Sequence, residues 1–155
     1  MELPSLTRAR IVDVARSWKG TPYHHQASLK GVGTDCLGLV RGIYRELFER
    51  DPEAPPPYSP DWAEVSPHEP LLDAARRHLV EIPRERVAAG DMLVFRWRAG
   101  SAAKHVGIFI APQRMIHAIE GIPVSEVKLS AWWWRHCVAC FAFPGMADAE
   151  SLSSA

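Results

Sequence analysis

An excess of either charge and a long apolar run are both missing from this sequence. The 155 residues carry 18 basic and 18 acidic side chains, so the net charge of zero gives no support for nucleic acid as a partner. No apolar run approaches the roughly 20 residues of a membrane-spanning helix, which argues against membrane insertion. The first residues lack a basic stretch followed by an apolar one, so we expect synthesis in the cytoplasm without a signal peptide.

Cysteine is also scarce, and its three positions do not suggest a disulfide framework. An odd number of cysteines without a leader argues against paired structural disulfides. Cys137 and Cys140 have the spacing of half a zinc knuckle, but no second such pair is present and both lie in an apolar run. The pattern therefore predicts two buried strand cysteines and leaves Cys36 for separate consideration.

The hydrophobic pattern predicts one domain, at residues 1–145, followed by a flexible tail at 146–155. Periodic apolar positions predict helices at 6–18, 36–48 and 69–80, strands at 92–97, 105–110, 114–119, 123–129 and 138–143, and a helical turn at 130–135. This order favours an α+β fold with N-terminal helices packed on an antiparallel sheet. Residues 51–70 hold seven of the 13 prolines and indicate a surface excursion rather than a domain boundary.

Cys36 lies at the first turn of a predicted helix, where a cysteine differs chemically from one in a core. Thr34 or Asp35 is placed to cap this helix, and the unpaired backbone N–H groups at its start favour negative charge. Such a position is expected to lower the pKa of the thiol and to supply donors for an oxyanion. Helical spacing puts Cys36 on the same apolar stripe as Val40 and Ile43, which we expect to face the sheet.

Two histidines occupy predicted strands that follow one another in the chain. A three-residue loop between the strands would pair Ile110 with Arg114, and hence Gly107 with His117. His105 and His117 would then share one face of the sheet, whereas a two-residue loop would put them on opposite faces. A cysteine nucleophile needs a histidine base oriented by a second polar residue, so we predict the odd-length loop.

Two alternatives to this interpretation stay open. Each histidine alone could be a structural residue whose hydrogen bonds are satisfied within the core. Cys36, His105 and His117 could instead bind zinc, because all three are ligands of that metal. Catalytic zinc commonly draws two ligands from helical or tight-turn spacing, and no such pair is present here. We therefore predict neither a metal nor a cofactor.

Five segments of the chain, in order, resemble the NlpC/P60 family of cell-wall cysteine peptidases. They are residues 18–23 (WKGTPY), 34–40 (TDCLGLV), 90–95 (GDMLVF), 105–108 (HVGI) and 116–118 (IHA). The resemblance runs from the first helix towards the last strand and implies a papain-like fold. The intervening loop at 24–33 (HHQASLKGVG) looks closest to the branch found in phage tails and gene transfer agents.

The resemblance also implies a set of roles. Cys36 would be the nucleophile, His105 the general base and then acid, and His117 the orienting residue. Tyr23 and Asp35 are the candidates for oxyanion or substrate binding, although Asp35 is expected chiefly to cap the helix. Family members typically cleave the bond between γ-D-glutamate and a diamino acid in peptidoglycan stem peptides, without a metal.

Several expectations about context follow from the same likeness. Leu37 stands where many family members carry serine, which changes the floor of the cleft. Carriage on a phage-tail-like particle would take the protein to the periplasm of a target cell. The alternatives are a structural tail or tail-assembly component with little activity, and a thiol amidase or acyltransferase. At least one ring of Trp132–Trp134 should be exposed, where it could stack on sugar or contact a partner protein.

Overall fold

The computed structural model describes residues 6–53 and 69–146, which form four α-helices, a short 3₁₀ helix at Arg84–Arg86 and eight strands. The helices are α1 (Arg8–Ser17), α2 (Cys36–Phe48), α3 (Pro70–His78) and α4 (Ala131–His136). The strands are β1 (Ser28–Leu29), β2 (Gly33–Thr34), β3 (Val80–Ile82), β4 (Met92–Phe95), β5 (His105–Ile110), β6 (Arg114–Ile119), β7 (Ile122–Lys128) and β8 (Cys137–Ala142). Most of the proline-rich segment, at 54–68, and the predicted tail from residue 147 onward lie outside the described residues.

Six of the strands form one antiparallel sheet in the order β3-β8-β4-β5-β6-β7. The predicted α+β architecture is confirmed, with α2 packed against β5 and β6. β1 and β2 form a separate two-stranded ladder ahead of α2. The sequence analysis missed this ladder and β3, because strands of two or three residues are too short to show alternation.

α1 crosses α2 through a very close contact. The ring of Trp18 lies over Gly42 of α2, where a Cβ atom would come within 2.1 Å of the indole. Trp18 is itself only 1% exposed, so its ring cannot move aside into solvent. Glycine at this position is therefore what allows the two helices to approach each other.

The buried face of α2 is centred differently from the predicted stripe. Leu39 and Ile43 are fully buried, whereas Val40 is only half-buried. Cys36 is half-buried too. The apolar pattern could not resolve this difference, because Leu37, Leu39 and Val40 are all apolar and only packing selects among them.

The turn before β4 is tied to α1 by a partly buried ion pair. Asp91 is fully buried, and its Oδ1 atom lies 2.7 Å from Nη1 of Arg8. Its Oδ2 atom accepts a hydrogen bond of 2.8 Å from the N–H of Ala88. Gly90 adopts a φ of +96°, and a Cβ atom there would lie 3.2 Å from Ile11. The glycine–aspartate pair thus fixes where β4 enters the sheet.

β8 contains Cys137 and Cys140, and both are buried as predicted. Strand alternation would direct two residues three apart to opposite faces. A register shift opposite Val94 and Phe95 of β4 changes this relationship, and the two sulfur atoms lie 4.0 Å apart. The hydrogen bond with Cys140, aided by the positive charge of Arg84, lowers the pKa of Cys137 to about 7.

Candidate active site

The start of α2 is fixed by Asp35, which places the side chain of the next residue. Its Oδ1 atom accepts a hydrogen bond of 2.7 Å from the N–H of Gly38, so the predicted cap is confirmed. Its Oδ2 atom accepts one of 2.8 Å from the N–H of Gln26, and the residue is 3% exposed. Both carboxylate oxygens are thus engaged by backbone. Asp35 holds Cys36 in place, and a direct role in binding substrate stays a prediction.

The loop before α2 rests directly on the first turn of that helix. A Cβ atom at Gly38 would lie 1.9 Å from the carbonyl oxygen of Ala27, so a larger residue would displace the loop. The hydroxyl of Ser28 donates a hydrogen bond of 2.6 Å to the carbonyl of Gly38. The glycine two positions after the cysteine therefore serves to bring the loop against the helix.

The sulfur of Cys36 lies against the first residues of β5. Its thiol donates a hydrogen bond to the carbonyl oxygen of Lys104, with the sulfur 3.8 Å from that oxygen. The backbone N–H groups of Val106 and Leu37 also act on the sulfur, and they favour its negative form. Lys104 and Val106 flank His105, so the sulfur sits beside the backbone on both sides of that histidine.

The thiol of Cys36 is harder to ionise than its helix position suggested. Burial raises its pKa to about 12, and the negative charge of Asp35 adds to the rise. The N–H groups of Val106 and Leu37 act in the opposite direction but do not compensate. The expectation of a lowered pKa was therefore wrong, because the cost of removing a thiolate from water exceeds the stabilisation by the helix start.

The two histidines meet on the sheet as the loop length predicted. Ile110 pairs with Arg114 across a three-residue loop, which is the odd-length register. A Cβ atom at Gly107 would lie 3.4 Å from that of His117, in keeping with their expected pairing. Nε2 of His105 and Nδ1 of His117 are 2.9 Å apart, a normal hydrogen-bond distance.

Both imidazoles are neutral at neutral pH. Burial, followed by the nearby His117, holds the pKa of His105 well below its ordinary value. Burial likewise lowers the pKa of His117 to about 4. A neutral imidazole has one N–H donor and one bare nitrogen acceptor, so one ring donates to the other. Since the Nε2 atom of His105 is engaged with His117, its Nδ1 atom is the nitrogen left for another partner.

Tyr23 lies within electrostatic reach of the cysteine. Burial, together with the negative charges of Cys36, Asp35 and Glu120, raises the pKa of its phenol to about 12. Its backbone forms a bridge with Thr34, next to the start of α2. The phenol is therefore protonated at neutral pH and can donate a hydrogen bond near the sulfur.

Neither a metal cluster nor a membrane helix is found in the described parts of the chain. At 6–53 and 69–146, no three side chains of histidine, cysteine, aspartate or glutamate are arranged to hold a metal ion. Within these same ranges, every helix is too short or too polar to cross a bilayer.

A model of the NlpC/P60 family matches residues 20–140, which is most of the chain and includes every candidate residue named above. The chain belongs to the NlpC/P60 family. This confirms the resemblance at the level of the family. The match does not distinguish a phage-tail branch.

Curated relatives of this NlpC/P60 domain come from Escherichia coli strain K12. The murein DD-endopeptidase MepS/murein LD-carboxypeptidase is 29% identical over 83% of this chain and 60% of its own length. The murein DD-endopeptidase MepH is 31% identical over 77% of this chain and 40% of its own length. The probable endopeptidase NlpC is 26% identical over 82% of this chain and 71% of its own length. The chain thus spans about 60% of the first of these relatives.

Solved structures confirm the fold of the domain. The NlpC/p60 domain of the peptidoglycan hydrolase SagA superposes with a TM-score of 0.64 at 23% identity, over 89% of this chain and all of that one. An NlpC/P60 protein from Bacillus cereus gives a TM-score of 0.64 at 18% identity, over 92% of this chain and 42% of that one. At these identities the likeness concerns the fold alone.

Within this NlpC/P60 domain, three aromatic rings surround His105, and the sequence analysis did not identify them as part of the site. We call Phe95, Trp97 and Trp133 the aromatic cluster. Their ring centroids lie 5.8, 4.9 and 5.8 Å from that of the imidazole. The only sequence signal was the tryptophan content near the ends of β4 and α4, which gives no indication of where the rings converge.

The surface next to the aromatic cluster contains an exposed tryptophan, as the sequence analysis predicted. Trp132 is 43% exposed, while Trp133 and Trp134 are half-buried. The ring of Trp132 stacks on His136 with centroids 4.0 Å apart, and its centroid lies 6.0 Å from that of Trp97. The exposed indole is therefore continuous with the aromatic cluster and with the surroundings of His105.

Proposed function

We propose that this chain is a cysteine peptidase that hydrolyses peptide bonds in peptidoglycan, with Cys36, His105 and His117 as its catalytic residues. The observation that carries the proposal is the contact between the two imidazoles at 2.9 Å, together with the sulfur at the start of α2, which contacts the backbone next to His105. The names of the E. coli relatives, which specify murein endopeptidases, support the choice of substrate.

We propose the following sequence of proton transfers. His105 takes the thiol proton on Nδ1 while the sulfur of Cys36 bonds to the scissile carbonyl carbon, whose π electrons move to oxygen. The resulting imidazolium donates its Nε2–H to Nδ1 of His117. Backbone N–H groups at the start of α2 and the hydroxyl of Tyr23 donate to the oxyanion. When the carbon–nitrogen bond breaks, the Nδ1–H proton passes to the leaving amine.

Water completes the cycle. His105 removes a proton from a water molecule, whose oxygen attacks the thioester carbon. The carbon–sulfur bond then breaks, and the imidazolium returns its proton to sulfur as the acid product leaves. Because both the thiol and the imidazole are neutral at rest, proton transfer accompanies the attack of sulfur rather than preceding it.

We further propose that the bond cleaved is the one between γ-D-glutamate and the diamino acid, an inference that rests on the family resemblance. The relatives' names specify DD and LD bonds instead. A cross-linked tetrapeptide muropeptide distinguishes these options by fragment mass. Cleavage at γ-D-glutamate separates the L-alanyl-D-glutamate part from the diamino acid. A DD cut divides the cross-link, and an LD cut releases terminal D-alanine.

The decisive experiment compares Cys36→Ala with Cys140→Ser, which removes a thiol remote from the histidines. Hydrolysis of defined muropeptides should vanish in the first variant and persist in the second, with both melting cooperatively. Hydrolysis retained by Cys36→Ala would refute the assignment. A folded wild type that cleaves no muropeptide would favour the structural component. Product bearing an added amine in place of water would indicate an acyltransferase.

Carriage on a phage-tail-like particle is a separate proposal, based on the likeness of residues 24–33 to that branch. It would take the protein from the cytoplasm to the periplasm of a target cell. Mass spectrometry of density-purified particles should find this chain at constant stoichiometry to the tail proteins. Recovery only in the soluble lysate would count against both the particle and the periplasmic location.

A further inference from the structure

The imidazolium of His105 needs a source of stabilisation that its known partners do not supply. In a serine or cysteine triad, a buried carboxylate often stabilises the charged ring. Here the third group is His117, a neutral imidazole that contributes one hydrogen bond of 2.9 Å. His105 is 3% exposed, so water offers little help either. Deprotonation of the thiol would therefore be unfavourable without another favourable interaction.

The aromatic cluster lies where such an interaction is required. Centroids of all three rings are within 6 Å of the imidazole centroid, which is the range of cation–π attraction. The rings of Trp97 and Trp133 are each inclined by 29° to the imidazole, and Trp97, with its centroid 4.9 Å away, is the closer of the two. His117, in contrast, meets His105 edge-on at 80°.

We propose that Trp97 and Trp133 are positioning residues that stabilise the imidazolium of His105 during acylation. The negative potential of their ring faces favours the positive charge that appears as the sulfur attacks. The inference rests on the proposed function, because it assumes that His105 is the base. The two indoles take the place of the carboxylate that stabilises the histidine in other triads. They are neutral, and they act through the quadrupole moment of their rings.

The other ionisable groups near His105 do not provide this stabilisation. They are His117 on β6, Cys36 on α2, Lys104 and Arg96 ahead of β5, and His136 at the end of α4. The guanidinium of Arg96 is 2.6 Å from a carboxylate oxygen of Glu69, whose other oxygen accepts from the N–H of Ala103. That carboxylate is therefore committed to holding the segment between β4 and β5, which contains Trp97.

The test is the rate of alkylation of Cys36 by iodoacetamide as a function of pH. Cys137 is replaced by serine in every protein, because the hydrogen bond with Cys140 lowers the pKa of its thiol. Mass spectrometry of the Cys36 peptide reports the reaction. Trp97→Leu should lower the alkylation rate at pH 7 about tenfold, and it should move the acidic limb of the rate profile, where His105 becomes protonated, to lower pH by about one unit. Trp97→Phe keeps an aromatic ring face, so its alkylation rate and acidic limb should lie between those of the wild type and of Trp97→Leu.

The direction of the shift separates this role from simple damage. Loss of a group that favours the imidazolium makes His105 harder to protonate. The acidic limb of the rate profile therefore moves to lower pH while the alkylation rate falls. Misplacement of the histidine alone lowers the rate without that shift. An acidic limb that stays in place or moves upward in Trp97→Leu would overturn the inference.

Fluorinated tryptophan provides a second test that preserves shape. Tryptophan carrying one, two or more fluorine atoms is incorporated at position 97 alone. Each added fluorine reduces the negative potential of the ring face, so the alkylation rate should fall with each fluorine. Trp134 is the matched control, because its ring contacts Phe109 and Arg84 rather than His105. A rate independent of fluorine number at position 97 would overturn the inference. Failure of the proposed function itself would show separately, as hydrolysis retained by Cys36→Ala.

Discussion

Removing the imidazole of His117 should impair acylation by a predictable amount. In the His117→Ala variant, the Nε2 atom of His105 loses its hydrogen-bond partner, which lies 2.9 Å away in the folded protein, and the site around it is buried. A hydrogen bond to a charged group contributes about 1.5 to 3 kcal/mol, and His105 is charged in the transition state. We therefore expect kcat/KM to fall about 10- to 150-fold.

The loss should appear mainly in kcat, because the hydrogen bond strengthens as the imidazolium forms. Muropeptide hydrolysis followed by mass spectrometry separates kcat from KM. His117→Gln should recover part of the activity, since its amide oxygen can accept the same proton. His78→Ala is a suitable control, because that histidine pairs with Glu53 at 2.9 Å, outside the candidate site.

A value of kcat/KM for His117→Ala within threefold of the wild type would refute this reasoning. It would mean that the base is held without its neighbour, and that the register of β5 and β6 serves packing alone. Thermal unfolding of each variant shows whether lost activity reflects a lost fold.

Three further predictions concern stability. The pKa of His117 is about 4 in the folded protein and near 6.5 when unfolded, so the unfolded chain binds the extra proton between these values. The free energy of unfolding should therefore fall as the pH drops from 6.5 to 4, by about 3 kcal/mol from this group, and urea titrations of His117→Gln should show a flatter dependence. Gly42→Ala should destabilise by about 1 to 3 kcal/mol in urea unfolding, because the new Cβ meets Trp18; an unchanged midpoint would contradict the packing argument. Asp91→Ala should cost about 1 to 3 kcal/mol, since it removes one hydrogen-bond partner of Arg8 and that of the Ala88 N–H, and Arg8→Ala in the same background should add little in a double-mutant cycle.

The parts of the fold that could be predicted from sequence depend on local pattern. The bounds of β5 and β6 match the prediction because each strand has six residues, enough for its apolar character to show, and a three-residue loop fixes their register. The start of α2 was predictable because Asp35 has cap chemistry immediately before an apolar helix. The approach of His105 to His117 followed from the pairing of β5 with β6 alone.

The parts that could not be predicted depend on packing between distant segments. The pKa of Cys36 is set by how deeply β5 and α2 bury the sulfur, whereas sequence reveals only its place at a helix start. The aromatic cluster joins the end of β4 to α4, and no periodicity links Trp97 to Trp133. The roles assigned to Cys36, His105 and His117 remain predictions until activity is measured.

A thiol that stays protonated until a peptide arrives has a consequence for the lifetime of the enzyme. Peroxides attack the thiolate and spare the thiol, so a group with a pKa of about 12 reacts with them slowly. The same burial that delays ionisation therefore protects the sulfur from sulfenic acid formation while the protein is idle.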